Sequence, residues 1–444
     1  MGIRLRKGAI YLIAVAYLVV PTIIFFYGWL RWELSVLCIF LLGVAVYRTI
    51  KEIDIKEEII ISKSALSCLM ISSFALVILS GIGGTFTQSY DIYMRNAIYR
   101  DLVLYEWPVY YPESNGVLVY YFGYWLPPAL LCKIILPLMS EYQIWIIANI
   151  VLIIYSTIGI ILVLLLVMIM LYNSIDFKKA ITVLLIFSIW GPLSIIGWYL
   201  FHNDGYGIID LLSQLYLSLN IDHYVNWFGA INGNYLELCN VYNQCIPAWI
   251  ASMLFLLIKE QAKIYGLVCL SLCISAPFPV VGLFIIMILW YTKLVIKGKI
   301  SVINGVSVIN ILSMLLLFIF VLFYSGNRGF VLEYREFPSD IDTLQLIFIS
   351  LLFCLLSFGA IAFLIRKSGD SLFNIVIFTY LLLIVASRWY PTNDFMMRAT
   401  IPCSIYLMVI TYKKISESKF KIEKGAIIAL LAIMSLPIYI YIYI

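Results

Sequence analysis

Charge is what this 444-residue chain has least of: Asp, Glu, Lys and Arg together make up 12% of it, and histidine occurs twice. A soluble domain carries about a quarter of its residues as charges, so that class is excluded. The two histidines, His202 and His223, share a polar stretch with Asp204 and Asp222. Those four are donors for a divalent metal, but their spacing matches no compact ligand motif, so no cofactor is firmly implied and a divalent metal stays open. Cysteine is present, nine in all, yet at spacings that fit no zinc site or disulfide framework. Most of the nine lie in apolar runs and read as packing residues. Cys239 and Cys245 share a polar stretch, which leaves one disulfide open. Internal repeats are missing, and low complexity is confined to the Tyr-Ile alternation at 438–444. The net charge of +5 traces to basic loops beside apolar runs, so nothing points to nucleic acid.

Apolar sequence fills the space that charge leaves. Hydrophobic residues make up 64% of the chain and the mean hydropathy is +1.03. In lipid every main-chain amide needs an internal partner, and long mixed Leu, Ile and Val runs satisfy that as helices. The expected fold is an all-α polytopic membrane protein with about thirteen spans (range 11–14). They fall near 8–28, 33–47, 65–84, 143–170, 181–200, 245–258, 264–275, 276–292, 301–324, 343–365, 372–387, 398–412 and 425–443. The first span is longer than a signal-peptide core and is expected to be retained.

Lys and Arg are sorted by side. Of the 29, one alternating set of loops holds 21, and 17 of those are Lys; the other set holds eight, seven of them Arg. Lys beside spans is the ordinary positive-inside signal, which places the N-terminus in the cytoplasm. Arg is the planar bidentate donor suited to phosphate and carboxylate. The assignment holds only if the apolar stretch 118–138 fails to cross the membrane and instead lies on the outer surface or re-enters. Its aromatic crowding, with Pro127 and Pro128, suits that. The external loops are then 85–142, 201–244, 325–342 and 388–397, and 85–142 holds a juxtamembrane helical segment.

Three external segments could bear chemistry. In the first, Asp91, Arg95, Ile98 and Leu102 share one helical stripe, and an Asp just past a span with an Arg one turn away is placed to act as a general base. An i,i+4 ion pair that solubilises a surface helix fits the same spacing. Asp101, Glu106 and Glu113 are secondary acids. Thirteen aromatic residues lie between Phe86 and Trp125. An interfacial belt accounts for most of them, and Trp107 and Tyr110 are singled out for an acceptor groove. In the second segment, Asn243 and Gln244 lead into Pro247 and offer amides to sugar hydroxyls. The third holds Arg388, Asn393, Asp394 and Arg398. An Arg at the outer start of a helix runs against both the macrodipole and the topology signal, and phosphate binding explains it; an Asp394–Arg398 salt bridge is the simpler alternative. Arg328 and Arg335 are less constrained by position.

The external Asp91 after a span, the aromatic and proline-containing segment through Pro127-Pro128 and the multi-span bundle that follows resemble the GT-C superfamily of membrane glycosyltransferases. The resemblance covers about residues 65–444, with 1–64 as an added two-helix segment. It implies transfer of a sugar from a polyprenyl-phosphate carrier to a glycan or lipid-linked acceptor, with inversion and with Asp91 as base. Arg398, Arg388 and Arg95 would hold the lipid phosphate, and Trp107, Tyr110, Asn243, Gln244, Asn393 and Asp394 the sugar or acceptor. The segments 91–107, 243–249 and 393–402 are also similar to segments of bacterial surface-polysaccharide proteins. An Ile, Lys, Asn and Tyr bias fits a bacterial cytoplasmic membrane. A polysaccharide polymerase and a flippase or secondary transporter remain the rival readings.

Overall fold

A computed structural model describes residues 2–53, 55–86, 88, 90–191, 233–327, 358–366, 369–386, 394–417, 425 and 427–431. The chain divides into two compact units, Met1–Leu184 with Leu238–Leu332, and Leu185–Glu237 with Glu333–Ile444.

The first unit opens with strand β1 (Gly2–Arg6), then the antiparallel hairpin of α1 (Lys7–Trp29) and α2 (Trp32–Glu52). Strand β2 (Glu58–Ser62) leads directly into α3 (Lys63–Leu79), whose first turn is capped by the Ser62 hydroxyl. Then come α4 (Tyr90–Leu104), a small hairpin of β3 (Tyr110–Tyr111) and β4 (Gly116–Val117), and α5 (Leu126–Ile135). α6 (Glu141–Leu171) starts at a reciprocal Ser140–Gln143 capping box. Strand β5 (Ser174–Ile175) follows, and α7 (Phe177–Ile189) leaves this unit at Leu184. After α8 (Asn234–Ile258) come the short α9 (Tyr265–Cys273), α10 (Pro277–Ile296) and α11 (Val308–Gly326).

The strands settle the relative sidedness of this unit. β1 pairs antiparallel with β2, and β2 pairs parallel with β5, so the start of α3 and the end of α6 lie at one sheet. α3 and α6 pack together. α5 is the middle of a helical run, Gly123–Leu138, that is shorter than the six helices long enough to cross a membrane. The stretch 118–138 packs along α6. Tyr124 at its tip donates to the Ser156 hydroxyl at 2.8 Å, and its ring meets Tyr155 edge-on, halfway along α6. The stretch is held there by Phe122 against Phe25 and Trp29, and by the Gly123 amide on the Ile274 carbonyl at 3.2 Å.

Basic side chains collect at the sheet end. Lys7 pairs with Glu57 at 2.8 Å, Lys263 with Glu52 at 3.0 Å and Lys299 with Glu260 at 3.8 Å. Large apolar side chains stand exposed along α2, α3, α6 and α11, as lipid-facing helices require.

Among its described residues the second unit, taken alone, contains the end of α7, residues Gly233–Glu237, and the helices α12 (Ala360–Ile365), α13 (Phe373–Ala386), α14 (Asp394–Ala399) and α15 (Ile401–Glu417). Trp190 is its centre: the ring stacks on Phe358 at 5.4 Å and the indole donates to the Ser404 hydroxyl at 2.9 Å. Asn234 donates from its amide to the Phe187 carbonyl at 3.1 Å. The Tyr406 hydroxyl donates to Asp370 at 2.5 Å.

The architecture is all-α apart from these short strands. Among the described residues six helices are long and apolar enough to cross a membrane, and four shorter apolar helices accompany them. The expected spans 343–365 and 425–443 lie largely outside the described residues. Residues 301–307 are a 3-10 turn and a cap rather than the start of a span. The expected loop 201–244 ends earlier than the sequence suggests, because residues 234–244 belong to α8 and are buried except for the half-buried Cys239 and Asn240.

Candidate functional site

α8 builds the site by breaking its own ladder. Pro247 lacks the amide hydrogen that would bond the Asn243 carbonyl, and Val241 leaves helical geometry at φ −138°, ψ 35°. The break leaves the Asn240 carbonyl to a side chain from elsewhere, and Arg95 of α4 donates to it through Nη1. Nη2 of the same guanidinium meets Asp91 Oδ2 at 3.2 Å.

The buried stripe of α4 is Ile92, Arg95, Tyr99, Leu102 and Val103. Of the residues Asp91, Arg95, Ile98 and Leu102, Arg95 and Leu102 lie on it: Arg95 is 3% exposed, whereas the Asp91 side chain is 56% exposed at the rim. The i,i+4 ion pair thus exists, but it is not a surface decoration. Tyr99 anchors the stripe by donating to the Ala148 carbonyl at 2.8 Å.

Polar atoms without partners surround this contact. Among the described residues, Arg95 Nε, Asn243 Oδ1 and both amide atoms of Gln244 are buried with no hydrogen-bond partner. Asn243 and Gln244 are wholly buried, in contrast to the loop position expected for them. Asn243 spends its amide hydrogen on the Tyr121 carbonyl at 3.4 Å, in the stretch 118–138. Next to it Tyr242 accepts from the Trp125 indole at 2.9 Å. An unpaired buried polar atom costs about 1–3 kcal/mol, so four on one helical turn and its neighbour call for a polar occupant.

The other expected residues go elsewhere. Asp101 is held by Tyr111, whose hydroxyl donates to it at 2.8 Å, and by Arg100 at 3.6 Å. Burial first, and then Asp101, raise the Tyr111 phenol above its ordinary value. Glu106 is exposed, and its charge acts on Lys133, whose amine is held below its usual range by burial against that attraction. The Trp107 indole donates to the Leu102 carbonyl at 2.9 Å while its ring packs 5.1 Å from Trp29, so it is spent on packing. Tyr110, half exposed, donates to Asn115 at 2.6 Å across the β3–β4 hairpin. Arg398 is buried at 2% exposure in the second unit. Arg388 and Asn393, the Asp394 side chain, both histidines, Asp204, Asp222, Arg328 and Arg335 lie outside the described residues.

Cys239 and Cys245 are not joined by a disulfide. Among the described residues no three His, Cys, Asp or Glu side chains converge on a metal position. What sequence reading missed is the role of Asn240 and Val241. The signal was there in Pro247, whose missing amide hydrogen marks a helix that must break near Asn243.

Searches of protein families, curated proteins and solved structures give no match to the chain.

Proposed function

We propose that the protein is a membrane glycosyltransferase that moves a sugar from a polyprenyl-phosphate carrier to a glycan or lipid-linked acceptor, with inversion. In this reading the basic face and the N-terminus are cytoplasmic, the chain has about thirteen spans in a bacterial cytoplasmic membrane, and the Asp91 rim faces outward. The observation that supports it is the pairing of a half-exposed carboxylate, Asp91, with a buried cluster of unpartnered donors and acceptors on Arg95, Asn243 and Gln244. A sugar ring presents hydroxyls that both donate and accept, which is what a Gln amide with both atoms free requires. Asp91 then takes the proton from the acceptor hydroxyl as it attacks the anomeric carbon, and the carrier phosphate leaves. Arg95 orients Asp91 through Nη2 and keeps Nε free toward the carrier phosphate.

The test is transfer in membranes containing the wild type, Asp91→Asn or Gln244→Ala. Asp91→Asn should lose transfer by at least about a hundredfold, and Gln244→Ala should weaken donor or acceptor use. Full transfer by both variants sinks the reading.

One observation favours transport of the lipid-linked substrate without chemistry: a kinked helix and the stretch 118–138 meet at buried polar groups. Substrate that crosses the bilayer unchanged in Asp91→Asn vesicles would select that reading.

A further inference from the structure

The sheet end of the first unit holds a second site, independent of the transferase reading. A cavity of about 290 Å³ lies where the end of α2 meets the start of α11, lined by Arg48, Lys51, Glu52, Lys263, Ser307 and the first residues of α11. Three cations face one carboxylate there, and that carboxylate is already taken: both Glu52 oxygens accept from Lys263, at 3.0 and 3.3 Å. Arg48 has no ion pair among the described residues, and Lys51 has only the face of Tyr47 at 4.4 Å. The cavity therefore keeps an excess of positive charge with unspent donors.

The surroundings say what kind of anion fits. Exposed apolar stripes run away from the cavity along both helices: Leu37 and Phe40 on α2 lie on the membrane side of Arg48, and Ile311 and Leu315 on α11 continue from Val308. A free phosphate has no use for such stripes, whereas a phospholipid places its phosphate at a basic pocket and its chains along an apolar face. At the same cavity, the Val308 and Ile309 amides open α11 and have no acceptor within the helix, which adds to the donors without being needed to define the site. The topology signal explains why basic residues are on this side. It does not explain why three of them share one cavity with a single carboxylate, already spent on Lys263.

We propose that this cavity binds the phosphate of an anionic phospholipid headgroup, with Arg48, Lys51 and Lys263 as the ligands and the exposed faces of α2 and α11 as the seat of the acyl chains.

The test uses the full-length protein in mild detergent, with dioleoylphosphatidylglycerol, dioleoylphosphatidylcholine and inorganic phosphate as probes and native mass spectrometry as the readout. The wild type should retain phosphatidylglycerol over phosphatidylcholine. Arg48→Gln/Lys51→Gln should weaken that retention about thirtyfold, roughly fivefold for each basic side chain removed. A control, Lys56→Gln/Lys297→Gln, removes the same charge from exposed positions on the same face and should stay within about twofold, since it leaves the pocket intact. Equal loss in both double variants would mean diffuse surface attraction and would overturn the site. So would equal retention of the two lipids. Displacement of phosphatidylglycerol by equimolar inorganic phosphate would overturn the lipid as the source of the anion. Arg48 and Lys51 are exposed, so the single variants Arg48→Gln and Lys51→Gln repeat the comparison should the double variant fail to fold.

Discussion

Arg95 donates a hydrogen bond to the main-chain carbonyl of Asn240, 145 residues further along the chain, because Val241 takes that carbonyl out of its helix. One guanidinium thereby ties three things together: the kink in α8, the buried face of α4 and the Asp91 carboxylate at the rim. Straightening α8 would return the Asn240 carbonyl to the Gln244 amide and free Arg95. The orientation of Asp91 is thus set by the conformation of a different helix.

Arg95→Ala should therefore destabilise the protein by about 1–3 kcal/mol, the cost of leaving the Asn240 carbonyl buried and unpaired. Arg95→Lys retains a charge beside Asp91, but it lacks the planar fork needed to reach both acceptors at once, and should fall between. Denaturant unfolding in detergent measures both. A wild-type midpoint for Arg95→Ala would mean the kink holds without its brace.

The class of fold was legible in the sequence, because composition responds to the bilayer directly. The β1–β2–β5 sheet, which puts residues 2–6, 58–62 and 174–175 together, was not. The site was legible only in part. The spacing of Asp91 and Arg95 showed their i,i+4 pairing, but not which face α4 buries, since charge pattern alone cannot say which neighbour the helix leans on. Asn243 and Gln244 looked like loop residues because 234–244 is polar. A polar helix enclosed by protein obeys burial by its neighbours rather than by lipid, and hydropathy is silent about that.

Gly123 is where the stretch 118–138 passes the α9–α10 turn. A Cβ there would sit 2.6 Å from Ile274 Cγ2 and 2.8 Å from Ser275 Oγ. Gly123→Ala should force the two segments apart, weaken the bond to the Ile274 carbonyl and cost about 1–3 kcal/mol. Unfolding in detergent should show this loss, whereas Gly43→Ala, with open space around it, should be close to neutral. Equal stability of the two variants would contradict this packing.

Tyr111 gives the outer hairpin an alkaline limit. Its phenol is raised in the folded state, by burial first and by Asp101 second. A raised folded value means that the Tyr111 contribution is fully present below the ordinary value of about 10 and is lost as pH rises from there toward the folded value. Wild type should therefore lose stability faster than Tyr111→Phe above about pH 10, and the two should run parallel below it. Parallel curves throughout would remove Tyr111 as the titrating group.

The sheet also makes a prediction about sidedness that does not depend on any activity. α3 begins and α6 ends at one sheet, so in the proposed topology the chain from Leu79 to Glu141 leaves and returns on the face opposite the sheet, even though it carries an apolar stretch from 118 to 138 that hydropathy alone would count as a span. Glu113 at the β3–β4 hairpin and Lys297 after α10 are both exposed, and the proposed topology puts them on opposite faces. Glu113→Cys should react with an impermeant maleimide in intact cells, and Lys297→Cys only after the membrane is opened, with the natural cysteines as background. Had the stretch crossed, Glu113 and Lys297 would share a face, and both would label under the same condition. Labelling of the two from one side would undo the re-entrant assignment and, with it, the placing of Asp91 on the face away from the basic loops.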